Sequence, residues 1–207
     1  MFIRILYDYD CDDVCKFTSD VFVRKEPICN CLQITKQEFI DAFNNIIHNC
    51  CASGMSYCIK DPESDEIMSV MLALSYNDYK NSHIPEWSHT PRITPLLTIL
   101  DEMAHLEYPD PVHTLYLFIA CTKDTDEVSG KGFAKLLLNR IIDKARSNGY
   151  KFIVSDATNV ISQHILINRF GFVNAKEITY NKYVYNDECI FNDIKCTQGV
   201  IRVIKTL

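Results

Sequence analysis

The stretch Val128-Ser129-Gly130-Lys131-Gly132-Phe133-Ala134 places two glycines where an apolar run gives way to a helical pattern. Upstream, Leu115 to Cys121 reads as a buried strand. Downstream, Ala134, Leu137, Leu138, Ile141 and Ala145 recur at three- and four-residue steps, as on one face of a helix. Glycine permits a sharp turn at such a junction. The free N–H groups at the start of the helix can then hold an anion against the positive end of its dipole. The chemistry indicated is phosphate binding. Five of the six histidines, His83, His89, His105, His113 and His164, are candidate bases, because an unperturbed imidazole changes charge near neutrality. No neighbouring residue marks one of them out, and His83 and His89 share a long polar segment that can line a pocket.

The elements that must carry these groups follow from periodicity and turn chemistry. Phe2 to Tyr7 reads as a first strand, and Asp10 or Asp12 caps a helix through Val14, Phe17, Val21 and Phe22. That helix stops near Lys25-Glu26-Pro27, because the residue before proline avoids the helical region. Glu26 is therefore expected at a helix end or in a loop. Thr35-Lys36-Gln37-Glu38 is a capping box opening a helix with Phe39, Ala42, Phe43, Ile46 and Ile47 on one face, closed by Gly54. Strands are expected over 56–60 and 67–76, then a loop over 77–91 that carries the single tryptophan, Trp87. A helix over 93–105 takes Pro95 in its first turn. After the glycine junction and its helix, Phe152-Ile153-Val154 is a short strand, Val160 to Phe170 a second amphipathic helix, and Ile178 to Tyr185 and Val200 to Ile204 are strands. The order βααββαβαβαββ predicts one mixed α/β domain over residues 1–207.

Composition narrows the function classes. A net charge of -6 argues against a non-specific nucleic-acid binder and suits a cationic small substrate. No run approaches the roughly 20 apolar residues that span a bilayer. The N-terminal segment lacks the apolar centre of a signal peptide, so a cytoplasmic location is expected. The ten cysteines contain no Cys-x-x-Cys pair, which points to ordinary thiols in a reducing compartment rather than a metal site.

Ser129-Gly130-Lys131-Gly132-Phe133-Ala134 resembles the acyl-CoA loop of the GNAT N-acetyltransferase superfamily, whose pattern is Arg or Gln, two residues, Gly, any residue, then Gly or Ala. The strand before it, the helix after it, a further strand and the Arg169-Phe170-Gly171-Phe172 ending of the next helix follow that superfamily's order. Phe22-Val23-Arg24-Lys25-Glu26-Pro27 resembles a Phe-x-x-(Lys/Asp)-Glu-Pro segment of the insect-type arylalkylamine N-acetyltransferases. The helix over 93–105 and the closing strand over 199–205 are also similar to theirs. The resemblance runs from about residue 3 to residue 205.

It implies a GNAT-like, mostly antiparallel mixed sheet flanked by helices, and acetyl transfer from acetyl-CoA to a primary amine without a metal. It implies a donor site formed by Ser129, Gly130, Lys131, Gly132, Phe133 and Ala134 at the pyrophosphate, and by the backbone of Ile119, Ala120 and Cys121 on a splayed strand beside the pantetheine. Glu26 matches the general base, while Thr158 and Ser162 match two hydroxyl residues of the site. By this reading transfer is direct, and Cys121 does not form an acyl-enzyme. The expected partner is a small-molecule amine, met by a monomer or weak dimer that binds neither nucleic acid nor membrane.

Three positions depart from the family pattern. Ser129 replaces the Arg or Gln, Ser162 to Gly171 is one residue longer, and Ile167 stands where many members carry a tyrosine acid. Two alternatives stay open at this point: a polyamine or amino-sugar acetyltransferase, and an acyl-CoA-binding module without catalysis.

Overall fold

The computed structural model describes residues 1–104, 110–125, 128 and 130–207. Seven strands form one sheet in the order β1-β2-β3-β4-β5-β7-β6. They are β1 (Phe2–Ile5), β2 (Tyr57–Lys60), β3 (Ile67–Ser75), β4 (Thr114–Thr122), β5 (Phe152–Ala157), β6 (Val173–Thr179) and β7 (Gly199–Thr206). Neighbours run antiparallel except β4 and β5, which are parallel and joined through a crossover helix. The helices are α1 (Cys11–Lys25), α2 (Pro27–Cys31), α3 (Lys36–Ala52), α4 (Tyr76–Asn81), α5 (Ile93–Ala104), α6 (Phe133–Ser147) and α7 (Val160–Gln163). No helix among the described residues is long and apolar enough to cross a membrane.

Both faces of the sheet are covered, which explains why β3 reads as an unbroken apolar run. Its Val70, Leu72 and Leu74 pack with Phe39, Phe43, Ile46 and Ile99 on the side of α1, α3 and α5. Met71 and Ala73 pack with Leu137, Leu138, Ile141 and Ala145 of α6 on the other side. The helical face expected after the glycine junction is thus the one buried. The capping box forms as expected: Thr35 Oγ1 accepts from the Glu38 N–H at 3.2 Å and Glu38 Oε2 accepts from the Thr35 N–H at 2.9 Å.

Three segments differ from expectation. The segment expected to be a loop over 77–91 opens with α4, because Ser75 Oγ accepts from the Asp78 N–H at 3.0 Å and caps the turn while Tyr76 is buried. The helix expected over 160–170 is α-helical only to Gln163 and continues as a π-helix over His164–Arg169. The late strand lies at 173–179 rather than 178–185; Tyr180, Tyr183 and Phe191 pack together instead, and a 3-10 turn over Tyr180–Lys182 brings the tyrosines inward. All ten cysteines are free thiols.

Candidate active site

The parallel pair β4 and β5 stays in register only from Thr114↔Phe152 to Leu117↔Ser155. There Ser155 Oγ donates to the Leu117 carbonyl at 3.1 Å. Beyond that point the two strands part. The cause lies in β4, where Leu72 of β3 faces Ile119 and Ala73 faces Leu117, so Phe118 is an extra residue. Such a bulge leaves one residue outside the ladder and reverses the alternation of side chains. Leu115 and Leu117 accordingly belong to the α6 side, whereas Tyr116, Phe118, Ile119 and Cys121 all face α1, α3 and α5. The wedge between the strands opens into a groove of about 240 Å³ lined by Ile119, Ala120, Cys121, Ala134, Thr158 and Ser162 among others.

At the head of α6, Gly130 and Gly132 both have φ +74°, and a Cβ at either would meet nothing within 4 Å. The demand for glycine is therefore conformational and not steric. Gly132 is the N-cap without a side-chain cap, and the Leu136 N–H bonds its carbonyl at 3.1 Å. The N–H groups of Phe133, Ala134 and Lys135 stand ahead of that first intrahelical bond. Ala134 lines the groove, so this helix end borders it. The Lys131 N–H closes a turn onto the Val128 carbonyl, its side chain is exposed, and Phe133 is buried in the core. Ser129 lies outside the described residues, as does His105.

Glu26 sits where α1 ends and α2 begins. Its N–H donates to the Phe22 carbonyl at 2.8 Å, and its Oε2 accepts the Cys29 N–H at 2.6 Å, so the carboxylate caps α2. The side chain was expected at a helix end and is found at one, yet it is only 3% exposed rather than solvated. Its Oε1 has no hydrogen-bond partner among the described residues. Burial pushes the carboxyl above its ordinary range, while the Cys29 N–H and the Thr158 hydroxyl pull it back. A cavity of about 50 Å³ adjoins Glu26, walled by Phe22, Tyr116, Phe118, Ile119, Asp156 and Thr158 among others. Phe118, Ile119, Asp156 and Thr158 also wall the groove, so the two spaces abut at the bulge.

Sequence reasoning missed the second carboxylate. Asp156 accepts from Arg202 Nε at 2.6 Å, Arg202 Nη2 at 2.5 Å and the Tyr116 hydroxyl at 2.7 Å. The Arg202 side chain is fully buried and that of Asp156 is 2% exposed. Only their facing positions on β5 and β7, Asp156↔Arg202, bring the two together. With both carboxylates ionised, this neighbourhood holds two negative charges and one positive, and an entering ammonium balances it.

The two hydroxyl residues separate. Thr158 shares the cavity with Glu26, and its carbonyl accepts the Tyr180 hydroxyl at 2.9 Å. It is not the helix cap: Asn159 is, with Oδ1 accepting the N–H groups of Ile161 and Ser162, each at 2.9 Å. Ser162 lines the groove but not the Glu26 cavity, and its Oγ donates to the Asn159 carbonyl at 2.9 Å. The π-helix after it absorbs one extra residue per turn, which matches the longer Ser162–Gly171 spacing and still delivers Phe172 to the core. Ile167 packs against the core on the α6 side. Burial pushes the Cys121 thiol well above its ordinary value, away from the nucleophilic thiolate. Among the histidines, His83 and His89 line a separate cleft, His113 is bound to Asp110 and His164 is exposed.

No protein-family model matches the chain. Solved structures do. The C-terminal condensation domain of Ebony, in complex with beta-alanyl-dopamine, superposes with a TM-score of 0.82 at 16% identity over 100% of this chain and 98% of that one. Arylalkylamine N-acetyltransferase 2 from Aedes aegypti gives 0.76 at 17% identity over 99% and 98%. The Drosophila melanogaster polyamine N-acetyltransferase, which catalyses formation of N-acetylagmatine, gives 0.69 at 12% over 100% and 99%. The likeness runs over the whole of this chain, and it shows a shared fold.

Proposed function

We propose that this chain transfers an acetyl group from acetyl-CoA to the primary amine of an arylalkylamine. One observation carries the reading. Glu26, a buried carboxylate with one oxygen that has no hydrogen-bond partner among the described residues, lines a cavity that shares its wall with a groove between two splayed strands. The residues fit the donor. Backbone groups freed at the Phe118 bulge suit the amides of a pantetheine arm, and the N–H groups ahead of the first intrahelical bond of α6 suit its pyrophosphate. The names of two solved neighbours, one seen with beta-alanyl-dopamine and one an arylalkylamine enzyme, support an aromatic acceptor.

The chemistry asked of the protein is alignment, proton removal and oxyanion stabilisation, because the thioester is already activated. An alkylamine arrives protonated. Glu26 Oε1 takes its proton, directly or through one water, and burial has raised that carboxyl toward the pH at which it works. The freed amine attacks the thioester carbonyl at the junction of the two spaces, where backbone N–H groups at the bulge face the developing oxyanion. Thr158 orients the amine; when the tetrahedral intermediate collapses the C–S bond breaks, and the proton leaving the attacking nitrogen passes through the Ser162 hydroxyl, which lines the groove, to the departing thiolate.

A free-thiol release assay over a panel of amines tests the reading. Tyramine, dopamine, octopamine and serotonin are expected to release CoA thiol at rates well above spermidine and glucosamine. Good turnover of spermidine with none of tyramine overturns the arylalkylamine assignment in favour of a polyamine enzyme. CoA binding without thiol release for any amine leaves a binding module.

A further inference from the structure

An amine held beside Glu26 needs a fixed Thr158, yet Thr158 lies in the turn between β5 and α7, where a backbone is ordinarily mobile. In this turn three successive carbonyls are engaged. The Ala157 carbonyl accepts Gln163 Nε2 at 3.1 Å, and the Asn159 carbonyl accepts the Ser162 hydroxyl at 2.9 Å and the Gln163 N–H at 3.0 Å. Those donors belong to α7 itself. The carbonyl between them, that of Thr158, accepts the Tyr180 hydroxyl at 2.9 Å, from 22 residues further along the chain.

Tyr180 is itself anchored on every side. Its N–H donates to the Gln198 carbonyl at 2.9 Å, one step beyond the last pair of the β6–β7 ladder, Thr179↔Gly199. A Cβ on Gly199 would overlap the Ile178 carbonyl oxygen, so glycine is what lets the two strands close at this point. The Gly199 carbonyl also accepts Gln163 Nε2 at 2.8 Å, which ties the same turn to the same strand end. The Tyr180 ring meets Phe191 edge-on at 5.7 Å, and the residue is 1% exposed. Burial first, and then the Glu26 carboxylate, push its phenol above the ordinary range. It therefore keeps its proton and donates at any working pH. It lines neither the donor groove nor the Glu26 cavity, so it touches no reacting atom.

Resting on the acetyltransferase reading, we infer that Tyr180 is a positioning residue of the reaction. By holding the Thr158 carbonyl it fixes the turn that presents the Thr158 hydroxyl to Glu26 and to the entering amine. This gives the segment after β6 its role, since the inward turn over Tyr180–Lys182 is what delivers the hydroxyl. Tyr183, in the same cluster, has no such part. Its ring stacks on Phe191 at 5.3 Å and its hydroxyl donates to Glu102 Oε1 at 2.9 Å, on α5 and away from the turn. The two tyrosines thus make comparable bonds, and one of them reaches Thr158.

Tyr180→Phe deletes one oxygen and keeps the ring on Phe191. With tyramine as acceptor it is expected to lower kcat by about 10- to 100-fold, the scale of a small misplacement at a reacting centre, with KM for acetyl-CoA within about twofold of wild type. Tyr183→Phe loses a comparable hydrogen bond from the same cluster and should leave kcat within about twofold. In a Thr158→Ala background, Tyr180→Phe should cost less than about a further twofold, because its effect passes through a hydroxyl that is no longer there. A purely structural role would lower kcat alike in the two tyrosine variants and would add to Thr158→Ala. Either result, or an unchanged kcat in Tyr180→Phe, overturns the inference while an active wild type leaves acetyl transfer standing. Wild type inert toward every amine overturns the functional reading and the inference with it.

Discussion

Glu26→Gln is expected to lower kcat/KM for an arylalkylamine by about 10²–10⁴-fold, the usual contribution of a positioned general base. CoA affinity should be unchanged, because Glu26 does not line the donor groove. The loss should be larger at low pH, where the amine is almost wholly protonated, and should narrow as pH rises and free amine accumulates. The same substitution is expected to stabilise the fold. Burial raises the Glu26 carboxyl above its ordinary 4.5, so the folded chain holds this proton more tightly than the unfolded one. The stabilising contribution is then complete below the unfolded value and disappears as pH rises through the folded one. Once ionised, the buried carboxylate is a cost to stability, and glutamine, which still accepts the Cys29 N–H, removes it. Thermal melts should show the variant above wild type at pH 7–8 and the difference shrinking toward pH 4. A rate indistinguishable from wild type removes Glu26 as the base.

Arg202→Met is expected to be the most destabilising single change in this region. It leaves Asp156 buried with the Tyr116 hydroxyl as its remaining side-chain partner among the described residues, and breaking a buried pair in this way costs about 3–5 kcal/mol. For a chain of this size that lowers Tm by roughly 10 °C. The double variant Asp156→Leu/Arg202→Met should recover much of the loss, since no buried charge is then left alone. The single variant should also shift the acid limb of the rate profile to higher pH. An uncompensated Asp156 beside the Glu26 cavity raises the base further, as like charges do. Additive losses in the double variant, or an acid limb that stays put, contradict this account of the pair.

Much of the fold was legible because its signals are local. The capping box at Thr35, the stop at Pro27, the apolar face of α6 and the glycine junction each depend on residues within a few positions of one another. The helix α4 was legible in principle, since Ser75 and Asp78 are a cap pair, but the polar composition of the next fifteen residues masked it. What sequence could not supply is pairwise. The bulge at Phe118 exists only relative to β3, and the run Leu115–Cys121 looks like any buried strand until Leu72 and Ala73 are laid against it. Asp156 and Arg202 are far apart in the chain and unremarkable singly. Glu26 was singled out as a candidate through its Glu-Pro context, but its burial was not foreseen, because a lone glutamate at a helix end is ordinarily solvated. The extra residue between Ser162 and Gly171 was visible; that a π-helical turn contains it was not.

The central claim is that donor and acceptor meet at the Phe118 bulge with Glu26 on the acceptor side. A crystal structure with CoA and tyramine bound tests it most directly. The account predicts the pantetheine arm between β4 and β5, against Ile119 to Cys121, and the amine nitrogen within hydrogen-bonding reach of Glu26 Oε1 or one water from it. An amine bound away from Glu26, or a CoA thiol that does not reach the wall shared by Phe118 and Thr158, would contradict it.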